Sequence, residues 1–150
     1  MRAVTRSLLA TIATLLALLC SASAQALDVS RFISGSWYNP AQDGHGFSIE
    51  FISKDTTVIY WYVYHPDGSP TFLVAVGQNQ GNTVVANAFY NSGMRFGVFD
   101  PAERQEVAWG TITITFHDCN NATLDYASTF MHQGMPFGSG SISLKRLLSD

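Results

Sequence analysis

Along residues 107–116, Thr111, Thr113 and Thr115 alternate with Ile112, Ile114 and Phe116. A period of two gathers the apolar side chains on one face only if the chain is extended, with one face for a core and the other for water. The pattern recurs. Phe47, Ile49 and Phe51 alternate with Ser48 and Glu50, and residues 57–64 are apolar on both faces. Further strands are expected at residues 35–38, 71–76, 83–90, 122–128 and 141–147. Pro40, Pro66, Pro70, Pro101 and Pro136 all fall between these runs, where a missing N–H is tolerated. His65-Pro66-Asp67-Gly68-Ser69-Pro70 and Asp118-Cys119-Asn120-Asn121 read as turns. Residues 77–82 read as a polar loop and 134–140 as a glycine-rich one. Residues 91–106 form the longest irregular stretch, with room for one helical turn at 101–104.

About eight short strands joined mostly by short loops form an antiparallel meander. No amphipathic helix is long enough to cover an open sheet. Closing the meander into a barrel removes both free edges, so an all-β barrel is expected, with a β-sandwich as the alternative.

Residues 1–26 read as a signal peptide. Arg2 and Arg6 precede an apolar run from Leu8 to Leu19, and Ala24-Gln25-Ala26 is an A-x-A cleavage site. A single all-β domain, residues 27–150, would then be exported to the periplasm or the medium. Two of the eight basic residues lie in the leader and none of the eleven acidic ones does. Six basic against eleven acidic residues leave the remainder at −5. An acidic chain without a Lys/Arg run is a poor match to nucleic acid, and no later segment would insert into a membrane as a helix. Cleavage removes Cys20 and leaves Cys119 alone, expected as a buried small hydrophobe with no internal disulfide partner.

Tyr60, Tyr62 and Tyr64 share one face of their strand, opposite Ile59, Trp61 and Val63. One face must be core. The other is a lumen, a subunit interface or an exposed platform; rings with a polar tip suit wet binding surfaces. The loop Gln42-Asp43-Gly44-His45-Gly46 offers polar groups, but no second histidine sits at metal-ligand spacing, so no metal or cofactor is expected. His117, Asp118 and Cys119 are adjacent and cannot easily converge, and His65 and His132 stand beside turns, expected in solvent. No catalytic motif is present.

Six motifs in order resemble a family of small secreted proteobacterial domains of uncharacterised function: Gly35 to Pro40, Gly44 to Phe47, Trp61 to Tyr64 with Asp67-Gly68, Phe96 to Ala102, Trp109 to Cys119, and Gly138 to Leu147. The resemblance spans nearly all of residues 27–150 and implies no activity. Gly35-Ser36-Trp37-Tyr38-Asn39 also resembles the opening strand of avidins, in which the matching asparagine contacts the ureido group of biotin. Pro40 directly after Asn39 departs from that pattern, so this likeness implies an avidin- or lipocalin-like barrel more than a ligand.

The expected function is therefore a non-catalytic exported module. It would bind a small molecule or glycan at a barrel mouth or face through Trp37, Tyr38, Asn39, His45, Tyr60, Tyr62 and Tyr64. The alternatives are a protein-interaction module, such as an inhibitor of a secreted hydrolase or an envelope adhesion domain, and a small hydrolase. Oligomeric state is left open.

Overall fold

The structure is a computed structural model and describes residues 28–148. The expected leader at 1–26 and its cleavage site lie outside the described residues. After a single 3-10 turn at Arg31–Ile33, eight strands follow: β1 Gly35–Tyr38, β2 Gly46–Ser53, β3 Thr56–Tyr64, β4 Pro70–Gln80, β5 Thr83–Ser92, β6 Gln105–Phe116, β7 Asn121–His132 and β8 Met135–Arg146. Each pairs antiparallel with the next, and β1 pairs with β8 to close the barrel. The all-β meander expected from the alternation is what the chain forms, and the sandwich is excluded.

The interior is a packed apolar core. Phe47, Ile49, Ile59, Trp61, Leu73, Ala75, Trp109, Ile112, Ile114, Phe116 and Leu124 are all buried in it. The threonine face of β6 points outward, as the period of two requires. One end is plugged by the segment before β1. Val29 N–H donates to the Gly81 carbonyl, Ile33 is buried, and the Trp37 indole N–H donates to the Ile33 carbonyl at 2.9 Å. At the opposite end lie the connections 39–45, 65–69, 93–104 and 133–134.

Several boundaries differ from the sequence reading. The polar stretch 77–82 is not a loop: β4 runs to Gln80 and only Gly81-Asn82 turn. Its polar residues point outward or are used locally, since Asn79 accepts from the Thr57 hydroxyl and donates to the Ser53 carbonyl. The glycine-rich stretch 134–140 lies mostly within β8, and β7 extends to His132. Pro136 is thus inside a strand, and Pro70 begins one. The strand tolerates Pro136 because β8 pairs with β1 only near its far end, at Lys145 and Arg146, leaving one side of its first half unpaired. Gly140 lies under the Tyr126 ring, which occupies the space a Cβ would need. Gly110 is required at the β5–β6 bulge, because a Cβ there would collide with the Ala127 carbonyl. Cys119 is exposed in the β6–β7 turn rather than buried. Asp118 takes two backbone N–H groups in that turn, and the turn leaves its neighbour outside the barrel.

Candidate functional site

The seven residues expected to bind do not form one site. Trp37 is core at the plugged end, edge-on to Phe116 at 5.4 Å. Tyr38 is half-buried at the end of β1, paired with Lys145. Asn39 organises its own turn, its side-chain oxygen accepting from Ala41 N–H and its amide donating to Gln42. His45 belongs to the open end. Only Tyr60, Tyr62 and Tyr64 stay together, all exposed on the outer face of β3. Trp61 and Ile59, between them in sequence, point inward and are buried.

The open end is filled by aromatics. Trp61 stacks on Phe47 at 5.1 Å and meets Trp109 and Tyr126 edge-on. The Trp61 indole N–H donates to His45 Nδ1 at 3.3 Å. That nitrogen must then be unprotonated, so the His45 proton sits on Nε2 and is offered to Gln42 Oε1 at 3.2 Å. Burial holds the His45 pKa below the ordinary histidine value, consistent with this neutral form.

Further across the mouth, His65 stacks on His132, ring centroids 3.7 Å apart and nearly parallel. Both were expected in solvent. Instead His65 is 8% exposed, held edge-on by Tyr90 and Phe137, and its Nδ1 has no partner. His132 pairs with Asp67 at 3.2 Å. This contact joins residues 65 positions apart through the barrel's closure, which no local pattern announces. Burial lowers the His65 pKa, His132 lowers it further, and Asp67 opposes both. The Ser69 hydroxyl and N–H hold the Asp67 carboxyl below its usual range. The Trp109 indole N–H, also buried, has no partner either. No group of three or more His, Cys, Asp or Glu among the described residues is placed to hold a metal ion.

The most apolar concave feature lies outside the barrel. On β4, Phe72, Val74 and Val76 point outward and continue the tyrosine face of β3, with Tyr62 opposite Phe72 and Tyr60 opposite Val74. On β5, Phe89 lies opposite Val74. The 93–104 connection projects beside this wall. Between wall and connection runs an open groove of about 580 Å³, floored by Phe72, Val74, Val76 and Phe89 and walled by Met94. One end is polar, with Asn91, Ser92 and the Arg104–Glu106 ion pair at 3.0 Å. The Asn91 Oδ1 is buried without a partner. A concave apolar surface with a few polar groups at one end is the usual form of a small-molecule site.

The groove residues were not singled out from the sequence. Their signal was present: Phe72, Val74 and Val76 alternate with the inward Leu73 and Ala75, so β4, like β3, is apolar on both faces. Two adjacent strands of that kind in a closed barrel must put an apolar surface outside.

No family model matches the chain, and no curated protein does. Among solved structures, a redesigned beta barrel is similar, with a TM-score of 0.51 and 11% identity, covering 84% of this chain and 100% of that one. At that identity the likeness speaks for the barrel fold alone.

Proposed function

We propose that the protein is a non-catalytic, exported binding module whose working surface is the outer wall of β3–β5, not the barrel interior. The ligand is a small molecule with an apolar or aromatic body and one polar end; a glycan stacked on the exposed tyrosine rings is the variant of this reading that needs least of the groove. The observation that carries it is the groove itself, apolar along Phe72, Val74, Val76 and Phe89 and polar at Asn91 and Arg104. The interior offers less, because Trp61, Trp109 and their neighbours fill it. A protein-interaction module is the second reading, favoured by Phe96 and Phe99, which the 93–104 connection holds exposed.

The test is fluorescence titration with an environment-sensitive apolar dye, on the parent protein and on Val74→Arg. The substitution places a charge on the groove floor without entering the core. Binding on the order of 10-fold weaker or worse is expected, as for loss of a buried apolar anchor. Unchanged dye affinity in a correctly folded Val74→Arg protein would remove the groove from consideration.

A further inference from the structure

We propose that the outer wall of β3–β5, together with the 93–104 connection, is the interface of a two-fold dimer of this chain. The inference extends the reading above and rests on the same wall. Its basis is the amount of apolar surface left in water. Tyr60, Tyr62, Tyr64 and Phe72 are each between 36% and 54% exposed, Phe99 is 71% exposed and Phe96 is fully so. At about 200 Å² for a fully exposed ring, these six expose roughly 700 Å². The valines and Met94 among them raise the total to roughly 1,000 Å², where the largest apolar patch on a monomer is usually about 300–600 Å². A stable interface needs about 800 Å² from each partner. The other walls expose less apolar surface: β6 and β8 present mainly threonines and serines outward, β7 alternates Thr123, Asp125 and Ala127, β2 presents Ser48, Glu50 and Ile52, and the exposed Phe32, Leu147 and Leu148 lie at the plugged end.

A second copy is the partner that fits for two reasons. The strands of this wall, β3, β4 and β5, are each paired on both sides, so no strand can be added here and association through the wall must be face to face. The face also carries both halves of a complementary pair, a projecting apolar connection and an open apolar groove beside it. Self-complementarity of that kind is what an isologous two-fold interface requires, each copy giving the same patch. Charge permits it as well. The chain is acidic overall, yet the outward positions of the wall, from Tyr60 to Phe89, carry no charged side chain. Beside the groove, Arg95 pairs with Glu103 and Arg104 with Glu106, which leaves Asp100, whose carboxylate caps the turn at Pro101–Glu103, as the one charge of the connection outside an ion pair. In such a dimer each copy's Phe96 and Phe99 cover the open side of the other's groove.

Sedimentation velocity over a concentration series tests this. The expected result is a dimer with a dissociation constant in the micromolar range or tighter. Phe96→Asp/Phe99→Asp, two changes at exposed loop positions that cannot disturb the core, and Val74→Arg should each weaken dimerisation on the order of 100-fold. Mixing the two variants should partly restore the dimer, because an intact groove then meets an intact connection once per pair. A parent protein that stays monomeric to the highest soluble concentration overturns the proposal, as does a dimer that survives both variants. The dye titration separates the two readings. A monomer whose dye binding is still lost in Val74→Arg keeps the binding groove and loses the dimer. A monomer without that dye response loses both, leaving a foreign protein or a lipid surface to account for the wall.

Discussion

Trp61 and Tyr62 are neighbours in β3, and the structure assigns them opposite fates. Trp61 is 4% exposed, enclosed by Phe47, Trp109 and Tyr126. Removing its side chain takes about 200 Å² of buried apolar surface out of the core, about 5 kcal/mol at roughly 25 cal/mol per Å². Large-to-small changes at such sites cost about 3–5 kcal/mol. Tyr62 is 54% exposed, so truncation forfeits only the other half of its surface, about 2 kcal/mol by the same rule. Loss of an aromatic from a strand adds at most about 1 kcal/mol. Urea unfolding of Trp61→Ala and Tyr62→Ala, at concentrations dilute enough to keep the chain monomeric, should therefore separate by about 2 kcal/mol or more. The same Tyr62→Ala protein should show its defect in dye binding or dimerisation instead. Equal losses of stability, or a larger loss at Tyr62, would mean that β3 is in the wrong register and the tyrosine wall is not outside.

Two further outcomes follow from particular side chains. His65 has its pKa lowered in the fold by burial and by the adjacent His132, so the unfolded chain binds the proton more tightly. Stability from this group is fully present above the unfolded histidine value near 6.5 and declines as pH falls through 6.5 toward the lower folded value. Thermal midpoints should drop over that window, and His65→Phe, which keeps a ring against Tyr90 and Phe137, should flatten the slope; an unchanged slope would place the titrating group elsewhere. Cys119 should react with a thiol reagent in the native state as fast as a small-molecule thiol, and Cys119→Ser should leave the unfolding midpoint unchanged; slow labelling until denaturant is added would mean that the turn is closed.

The legible and illegible parts of this protein divide by range. Strand identity and face came from local alternation. Thr111, Thr113 and Thr115 are outside and Ile112, Ile114 and Phe116 inside because the period of two leaves no other arrangement. Closure followed from the absence of anything to cover an edge. The ends of strands were poorer. Gln78, Asn79 and Gln80 look like a loop because they are polar, but a barrel wall in water accepts polar residues, and pairing with β5 decides. Pro136 looks like a loop residue because the sequence does not show that its strand has one neighbour there rather than two. The site was the least accessible part. The face shared by Tyr60, Tyr62 and Tyr64 was readable, but whether it lay in or out depended on Trp61 being part of a core that only the closed barrel assembles. Asn39 and Trp37 looked like ligand contacts by analogy with another barrel; here one holds a turn and the other anchors the plug. The His65–His132 stack depends on two hairpins meeting across the mouth.

The pairing of β1 with β8 joins residues more than a hundred positions apart through only two register partners, Trp37 with Arg146 and Tyr38 with Lys145. Every other pairing is between consecutive strands, so seven hairpins form from nearby chain and a single long-range step completes the ring. That step carries the greatest loop-closure entropy and the fewest ladder bonds. Arg146 reinforces it, donating to the Ser34 carbonyl at 2.6 Å, and Leu147 N–H reaches the Ser36 carbonyl. The molecule is therefore best regarded as a strip with a clasp. Its lowest-energy opening is the parting of first strand from last, which bares two strand edges and the end of the core beside Trp37 while the β3–β5 wall stays assembled. Because the clasp brings the first and last strands together, a short peptide joining β8 to β1 would turn the weakest pairing into a local hairpin, and the strip could then be cut at another turn without losing the ring.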